Sequence, residues 1–163
     1  MGGRVKPGHD NMSITFREAT RDDLSAIIAM LADDELGRAR EIVQTPPADC
    51  YVQAFEAIDA DPNQNLIVAT ENGAVVGTMQ LTFLPGISRK GQWRGQIEAV
   101  RIASSQRGAG LGRQMMEWAI AECRRRGCGL VQLTSDKSRH DAHRFYDNLG
   151  FVASHEGYKL MLT

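Results

Sequence analysis

Residues 100–113 hold the side chains and the spacing best suited to chemistry in this chain. They lead from a short apolar strand through a loop into an amphipathic helix, and the loop carries Gly108, Gly110 and Gly112. Glycine lets the backbone come close to a ligand because it has no Cβ atom. The first turn of a helix presents unpaired N–H groups and the positive end of the helix dipole. Arg107 and Arg113 add positive charge, so the segment predicts a phosphate or pyrophosphate site.

Two common nucleotide-binding motifs do not fit this segment. The dinucleotide fingerprint requires a third glycine where this chain has Arg113, and the P-loop requires Gly-Lys-Ser/Thr, which the chain lacks. A plain nucleotide-binding domain is therefore disfavoured. The pattern that remains is Arg-x-x-Gly-x-Gly over residues 107–112, after a strand that contains Glu98 and Val100. A flexible turn with no ligand is the alternative interpretation.

Composition narrows the class of protein. The chain has 163 residues and a mass of 18.0 kDa, with 42% hydrophobic and 24% charged residues, which is typical of one globular domain with its own core. A net charge of −1 and a pI near 6.4 argue against nucleic acid as the main partner, and no apolar run reaches membrane-spanning length. Cys50, Cys123 and Cys128 lack metal-ligand spacing and are interpreted as reduced, mostly buried thiols of a cytoplasmic protein.

The first eleven residues show no apolar periodicity and no hydrophobic region of a signal peptide. We expect residues 1–11 to be a disordered leader and residues 12–163 to form the domain.

The first half of the domain predicts a strand, two helices and a hairpin. Residues 14–18 alternate as a strand does, and Thr20 with Asp23 form a capping box before a helix with the apolar stripe Leu24, Ile27, Ile28 and Leu31. Residues 32–45 are acidic and irregular, and Pro46 and Pro47 are expected to open a helix that runs to residue 59. Residues 65–70 and 74–83 flank Asn72-Gly73, which indicates a hairpin on a type I′ turn. Its inner face is expected to carry Val75, Met79, Leu81 and Phe83.

The second half predicts strands at residues 92–102, 130–134 and 158–162. Between them lie a helix that begins at Leu111 and ends before Gly127, and a short helix over residues 141–149. The long helix carries the apolar stripe Leu111, Met115, Ala119 and Cys123, widened by Met116 and Ile120. The order β-α-α-β-β-β-α-β-α-β is that of a mixed α/β domain.

This order and two motifs resemble the GCN5-related N-acetyltransferase (GNAT) family. The glycine-rich segment resembles the acetyl-CoA motif of that family, and residues 142–151 (AHRFYDNLGF) resemble its A-x-x-[LF]-Y-x-x-x-G-F signature. Residues 139–146, with Ser154 and His155, are similar to the same stretch of aminoalkylphosphonate N-acetyltransferases. The chain departs from many relatives at Arg139, where they carry an Asn that contacts pantetheine.

The resemblance implies a GNAT fold, with a central sheet whose two parallel strands (residues 92–102 and 130–134) splay apart. Acetyl-CoA would be the acetyl donor, with pantetheine between those strands, bonded to the backbone of Val100 and Ile102. Its pyrophosphate would accept N–H groups from Arg107, Gly108, Gly110, Gly112 and Arg113. A homodimer is also implied, because relatives are often dimers.

Acetyl transfer to an amine needs a base and an acid. Glu98 is the only acid between Glu71 and Glu117, and similar enzymes place a glutamate base on this strand. Tyr146 matches the tyrosine that protonates the departing thiolate in the family, and the N–H of Val100 would polarise the thioester carbonyl. The alternatives are that Glu98 only forms a structural hydrogen bond and that Tyr146 only packs in the core.

Three questions stay open at the level of sequence. His140 and His143 flank Asp141 and could hold an ion, but solvated or capping histidines are commoner, so no metal is expected. Eight acids between residues 31 and 61 could attract a cationic amine or form a solvated surface. We therefore expect a small, cationic or aminoalkyl primary amine as acceptor, attacking acetyl-CoA directly. The alternatives are a protein lysine or N-terminus as acceptor and a non-catalytic acyl-CoA-binding module.

Overall fold

The structure, a computed structural model, describes residues 13–163 and contains a five-stranded sheet. The leader expected over residues 1–11 lies outside the described residues. The strands are β1 (Ile14–Glu18), β2 (Gln64–Glu71), β3 (Ala74–Leu84), β4 (Arg94–Ile102) and β5 (Leu130–Leu133). They lie in the order β1-β2-β3-β4-β5, with antiparallel pairing except between β4 and β5, which are parallel. The mixed α/β architecture is as predicted.

Helices cover both faces of the sheet. They are α1 (Leu24–Leu31), α2 (Glu35–Arg40), α3 (Asp49–Ala60), the single turn α4 (Ser88–Gly91), α5 (Leu111–Arg125) and α6 (His140–Asn148). The predicted stripe of α5 is buried against one face, where it meets Met79, Leu81 and Ile97. Buried side chains of α1 meet Val68 on the other face, and with Phe55 of α3 they form a second layer. None of the helices within residues 13–163 is both long and apolar enough to cross a membrane.

The hairpin prediction is confirmed at its turn and wrong at one residue of its inner face. Asn72 and Gly73 have φ of 50° and 81°, as a type I′ turn requires. A bulge leaves Val76 without a partner in β2, because Ala69 pairs with Gly77 and Thr70 with Val75. The extra residue reverses the alternation, so Val75 packs beside Val68 on the face opposite to Met79, Leu81 and Phe83.

The region between α1 and β2 differs from the prediction in two places. The expected irregular segment contains α2, which Asp34 caps by accepting the N–H of Gly37 at 2.5 Å. Any Cβ at residue 37 would lie 1.8 Å from the carbonyl oxygen of Leu31, so the close approach of these two backbone segments requires glycine. The next helix begins at Asp49 and not at the proline pair.

The predicted last strand is absent. Residues 151–163 form no strand or helix, and β5 has a partner only in β4 among the described residues. Tyr158 and Leu162, the two ends of the expected strand, are each 91% exposed. The segment is apolar, but within residues 13–163 no neighbouring strand pairs with it, so it forms no strand.

Candidate active site

Strands β4 and β5 separate halfway along β4, as expected for a sheet whose two parallel strands splay apart. Their parallel pairing runs from Arg94 opposite Leu130 to Ile97 opposite Leu133 and stops there. Strand β4 continues to Ile102, while β5 ends at Leu133. The opening between them is called the fork below. Within residues 13–163, it leaves one edge of β4 without a strand partner from Glu98 onward. An extended ligand can therefore bond to this edge as an additional strand would.

A bulge in β4 lies at the fork. Gln80 pairs with Glu98 and Thr78 with Arg101, so Ala99 and Val100 together face the single residue Met79. Ala99 has a left-handed φ of 52°, an uncommon conformation for a residue with a Cβ atom. The bulge breaks the ladder to β3 and redirects the backbone around Val100, whose N–H is the expected oxyanion donor. Nothing in the sequence signals this bulge, because alanine is not a residue that favours φ above zero.

The loop over residues 107–113, called the glycine loop, follows the end of β4 through a 3-10 turn, Ser104–Gln106. Gly108 and Gly110 have φ of 82° and 80°, and a Cβ at either position would meet nothing within 4 Å. Helix α5 begins at Leu111, and Gly110 is its N-cap residue. Within residues 13–163, the backbone N–H groups of Gly108, Gly110 and Gly112 have no acceptor. The loop thus offers donors, open space and a helix N-terminus at one place, which is the arrangement that binds phosphate oxygens.

Gly112 has a different role from the other two loop glycines. A Cβ on Gly112 would lie 3.0 Å from Cδ1 of Ile102 and 3.4 Å from Cζ of Phe145. The absence of a side chain therefore lets the start of α5 pack closely against the end of β4 and against α6. This contact joins the glycine loop to the helix that carries Tyr146.

Among the residues that the structure describes, the two arginines of the glycine loop form exposed ion pairs. Arg107 lies 3.8 Å from Asp33, and Arg113 donates to Glu117 at 3.0 Å, with all four side chains more than half exposed. Exposed pairs of this kind contribute ~0–1 kcal/mol to stability. Both guanidinium groups can therefore turn to a bound anion at small cost.

Glu98 is exposed on β4 and forms part of a polar row across the fork strands. Its carboxylate accepts a hydrogen bond from Gln96 at 2.5 Å, and Gln96 in turn accepts one from Gln132 of β5 at 3.0 Å. The structure therefore shows the structural hydrogen bond that was the alternative for Glu98. It leaves the second carboxylate oxygen without a partner within residues 13–163, so a role as base stays a prediction.

Tyr146 is half-buried on α6 and packs edge to face with Phe145 and Phe151, with ring centroids 5.3 and 5.9 Å apart. Burial raises the pKa of its phenol above the usual 10.0, although the charges of Arg101 and Arg139 act to lower it. Its hydroxyl group has no hydrogen-bond partner among residues 13–163. The side chain is thus both a packing residue and a protonated phenol, and its role as acid stays a prediction.

A charged cluster at the entrance of α2 was not found from the sequence. The carboxylate of Asp34 accepts from Arg139 at 2.7 Å and lies 3.6 Å from Nε of Arg101. Burial acts to raise the pKa of Asp34, but the N–H of Gly37 and the two arginines outweigh it and hold the pKa below its usual value. Asp34, Arg101 and Arg139 are called the Asp34 cluster below. Asp34 and Arg139 line an open cleft of about 620 Å³ between α2 and α6. Arg139 therefore has a protein partner in place of the pantetheine contact made by the Asn of relatives.

Arg101 is the most enclosed member of the Asp34 cluster. Its side chain is 18% exposed, and burial lowers the pKa of its guanidinium, as do the charges of Arg139 and Arg40. One carboxylate faces two guanidinium groups, so the Asp34 cluster keeps a net positive charge. Sequence could not reveal the cluster because Asp34 and Arg139 are 105 positions apart.

The two histidines of α6 contact each other and the loop before the helix. The His140 and His143 rings meet edge to face at 5.9 Å, and Nε2 of His143 lies 2.9 Å from the carbonyl oxygen of Asp136. Over residues 13–163, no three His, Cys, Asp or Glu side chains are grouped to hold an ion.

Comparison with known proteins agrees with this geometry. The sequence model of the acetyltransferase (GNAT) family matches residues 27–151. Aminoalkylphosphonate N-acetyltransferase of Salmonella typhimurium is 32% identical over 140 residues, which are 86% of each chain. Glucosamine 6-phosphate N-acetyltransferase of Trypanosoma brucei brucei is 36% identical over 90 residues, 55% of this chain and 59% of that enzyme.

A solved structure has the same fold over nearly its whole length. A transcriptional regulator from Bacillus halodurans C-125 superposes with a TM-score of 0.89 and 50% identity, and covers 91% of this chain and 99% of its own. The family match spans the fork, the glycine loop and Tyr146, and the family uses acetyl-CoA as donor. The chain belongs to the GNAT acetyltransferase family and is an acetyl-CoA-dependent N-acetyltransferase.

Proposed function

We propose that the protein acetylates the primary amine of a small acceptor that also carries an anionic phosphonate or phosphate group. The observation that carries the proposal is the Asp34 cluster, in which two guanidinium groups share one carboxylate and one of the two, Arg139, lines an open cleft. Guanidinium groups bind phosphonate and phosphate oxygens with charge-assisted hydrogen bonds. Both relatives named above are N-acetyltransferases for such acceptors, an aminoalkylphosphonate and glucosamine 6-phosphate.

The acids expected to attract a cationic acceptor are partly occupied within the protein. Asp34 and Asp33 lie against arginines, Glu41 accepts from the hydroxyl group of Tyr51 at 2.9 Å, and Asp61 accepts from Asn63 and Gln64. The negative electrostatic potential of this region is therefore weaker than a count of its eight acids suggests. An acceptor with both an amine and an anionic group suits this mixed surface better than a polyamine does.

For the donor, the glycine loop would bind the pyrophosphate of acetyl-CoA and β4 would bind its pantetheine. Unpaired N–H groups of the loop and the helix start support the first contact, and the open edge of β4 supports the second. The pantetheine contacts would use the backbone of Val100 and Ile102. The thioester then lies in the fork, between Glu98 and the α6 side chain Tyr146.

The reaction would proceed by direct attack. An alkylamine has a pKa near ~10, so Glu98, directly or through a water molecule, takes one of its protons at neutral pH. The amine nitrogen then forms a bond to the thioester carbonyl carbon, and the N–H of Val100 stabilises the negative charge on the oxygen. The carbon–sulfur bond breaks with its electrons on sulfur, and Tyr146 gives its proton to the thiolate. The nitrogen, which still carries one proton too many, releases it to water, and the phenolate of Tyr146 takes a proton back from water. The products are the acetamide and free CoA.

A panel of acceptors tests the proposed substrate class. With acetyl-CoA as donor, we expect release of free thiol to be faster with 2-aminoethylphosphonate or glucosamine 6-phosphate than with ethylamine, spermidine or a lysine peptide. Arg139→Gln should raise the KM for the anionic acceptors about ten- to a hundredfold, the effect of losing a charged hydrogen bond. The KM for ethylamine should stay within about twofold.

A matched control lies on the same helix. Arg144 is 69% exposed and pairs with Asp141 outside the Asp34 cluster, so Arg144→Gln should leave both KM values unchanged. Preference for the lysine peptide would replace the proposed acceptor with a protein. Equal KM values of Arg139→Gln and the wild type for the anionic acceptors would show that the Asp34 cluster does not recognise the substrate.

A further inference from the structure

Two glutamines connect strand β5 to the carboxylate of Glu98. Gln96 and Gln132 lie opposite each other in the parallel pairing of β4 and β5, one pair before the last. Gln96 and Glu98 are two residues apart on β4, so their side chains project from the same face of the sheet. Nε2 of Gln132 donates to Oε1 of Gln96 at 3.0 Å, and Nε2 of Gln96 donates to Oε1 of Glu98 at 2.5 Å. These three side chains are called the glutamine row below.

The direction of the hydrogen bonds in the glutamine row is set from its β5 end. A side-chain amide has one acceptor end and one donor end. Because Gln132 donates to the acceptor end of the Gln96 amide, the donor end of that amide points at Glu98. Without Gln132, the oxygen of the half-buried Gln96 amide would lose its protein partner, and the amide would be free to rotate. The β5 side chain therefore determines what β4 offers to the carboxylate.

Glu98 depends on the glutamine row for a defined position. Its side chain is exposed, the bulged Ala99 follows it, and within residues 13–163 Gln96 is its one hydrogen-bond partner. An unrestrained glutamate side chain samples several rotamers, and restricting them costs up to ~2 kcal/mol. A general base has to lie within hydrogen-bond reach of the proton that it takes. The bond from Gln96 holds one carboxylate oxygen and leaves the other oxygen for that proton.

We infer that Gln132 is a positioning residue for acetyl transfer, which acts through Gln96 to hold the carboxylate of Glu98 at the fork. The inference rests on the proposed role of Glu98 as base. No proton passes along the glutamine row: both amides keep their protons, and the free oxygen of Glu98 takes the proton of the amine. Strand β5 thus contributes to the reaction as well as forming one side of the fork.

A second row of the same kind provides a matched control. Nε2 of Gln80 donates to Oε1 of Gln64, and Nε2 of Gln64 donates to Oδ2 of Asp61, both at 3.0 Å. This row ends at Asp61, directly after α3, and among the described residues it forms no hydrogen bond to Glu98. Gln64 and Gln132 are both half-buried strand residues. Methionine has a similar length and no amide, so its structural cost should be similar at the two positions.

Steady-state kinetics of Gln132→Met with acetyl-CoA and the fastest acceptor of the amine panel test the inference. At pH 7 we expect kcat about tenfold below that of the wild type, the scale of a misplaced catalytic group, and KM values within about twofold. The loss should shrink towards pH ~10, where the free amine is abundant and needs no base. Gln64→Met should keep the wild-type kcat at every pH.

Two further variants at position 132 support this comparison. Gln132→Glu keeps the size of the side chain but replaces the donor by an acceptor, so it should be at least as slow as Gln132→Met. Gln132→Val, a residue that favours strands, gives the same test if Gln132→Met does not fold.

A double-mutant cycle shows whether Gln132 acts through the glutamine row. In a Gln96→Met or a Glu98→Gln background, Gln132→Met should cause no further loss of kcat, because the group on which it acts is already gone. A wild-type kcat for Gln132→Met, losses that add in full in either background, or a loss equal at every pH would each overturn the inference.

The Glu98→Gln variant separates failure of the inference from failure of the proposed function. If Glu98→Gln keeps the wild-type kcat at pH 7, the proposed base is wrong, and the inference fails with it. If Glu98→Gln is slow while Gln132→Met is not, Glu98 remains the base and only the role of Gln132 is wrong.

Discussion

At the scale of single residues, Tyr146 is subject to two opposing influences. Burial raises the pKa of the phenol, and the positive charges of Arg101 and Arg139 act against this rise. The net result is a pKa above 10.0, so the hydroxyl group keeps its proton throughout the neutral range. The same two charges would stabilise the phenolate that forms when the proton passes to the thiolate, which is otherwise an uphill transfer.

Tyr146→Phe keeps the ring and its packing against Phe145 and Phe151 while it removes the proton. We expect a folded protein that binds acetyl-CoA normally and has a kcat about a hundredfold lower, within the range of general acid catalysis. The loss should shrink for acetyl thioesters with more acidic leaving thiols, measured as kcat against thiol pKa. Full activity would reduce Tyr146 to a packing residue.

Glu98→Gln tests the proposed base through its pH dependence. The variant should lose most activity at pH 7 and progressively less towards pH ~10, where the free amine is already abundant. Glu56→Gln, a matched loss of charge at a 65% exposed position, should follow the wild-type profile. A loss for Glu98→Gln that is equal at every pH would assign the carboxylate to its hydrogen bond with Gln96 and place the base elsewhere.

At the scale of elements, sequence predicted what depends on local periodicity. The α5 stripe, the Asn72-Gly73 turn and the capping box at Asp23 are all confirmed, because each is specified within a few residues. The bulge at Ala99 was missed because its cause is the register with β3 and not a turn-forming residue. The short helix α2 was not predicted from the sequence. Its start depends on the Asp34 cap and on the close approach of Gly37 to the Leu31 carbonyl oxygen, and this approach is seen only in the folded chain.

The glycine loop provides a prediction at this scale. Gly110 has a left-handed φ of 80° in open space, so Gly110→Asp and Gly110→Asn impose nearly the same backbone strain. Only the aspartate adds negative charge at the expected pyrophosphate site. Isothermal titration should show acetyl-CoA affinity at least about tenfold lower in Gly110→Asp than in Gly110→Asn. Equal acetyl-CoA affinities of the two folded variants would show that the pyrophosphate does not bind at this loop.

The capping box that opens the first helical segment should make stability depend on pH. Arg17 donates to Asp23 at 2.7 and 2.9 Å, which is the largest of the causes that lower the pKa of this carboxyl group. A lowered pKa stabilises the fold above the ordinary value of 3.8, and this contribution is lost as pH falls through the folded-state pKa. Because Arg17 is 43% exposed, we expect Asp23→Asn to cost only about 1 kcal/mol, the scale of a lost cap.

The contribution of Asp23 to stability is measured by urea unfolding of Asp23→Asn and the wild type at pH 7 and at pH 3. The difference in unfolding free energy should be present at pH 7 and smaller at pH 3. An unchanged difference would mean that the cost comes from packing and not from the charge.

At the scale of the whole molecule, the candidate site is assembled from distant parts of the chain. The glycine loop and the fork, which form the proposed donor side, are local to residues 94–134. Motifs and strand order predicted both, apart from the bulge at Ala99. The proposed acceptor side depends on the contact between Asp34 and Arg139, which no local pattern encodes. The strand predicted at residues 158–162 is wrong, because an apolar, strand-forming sequence becomes a strand only where a neighbouring strand pairs with it, and residues 158–162 have no such neighbour within residues 13–163.

The most direct test of the account is a measurement of both products. The purified protein is incubated with acetyl-CoA and 2-aminoethylphosphonate, and mass spectrometry quantifies CoA and the N-acetylated amine over time. We predict equal amounts of the two products, many turnovers per protein molecule, and strongly reduced formation of both with Gly110→Asp. Binding of acetyl-CoA with neither product formed from any amine in the panel would contradict the account and leave an acyl-CoA-binding module.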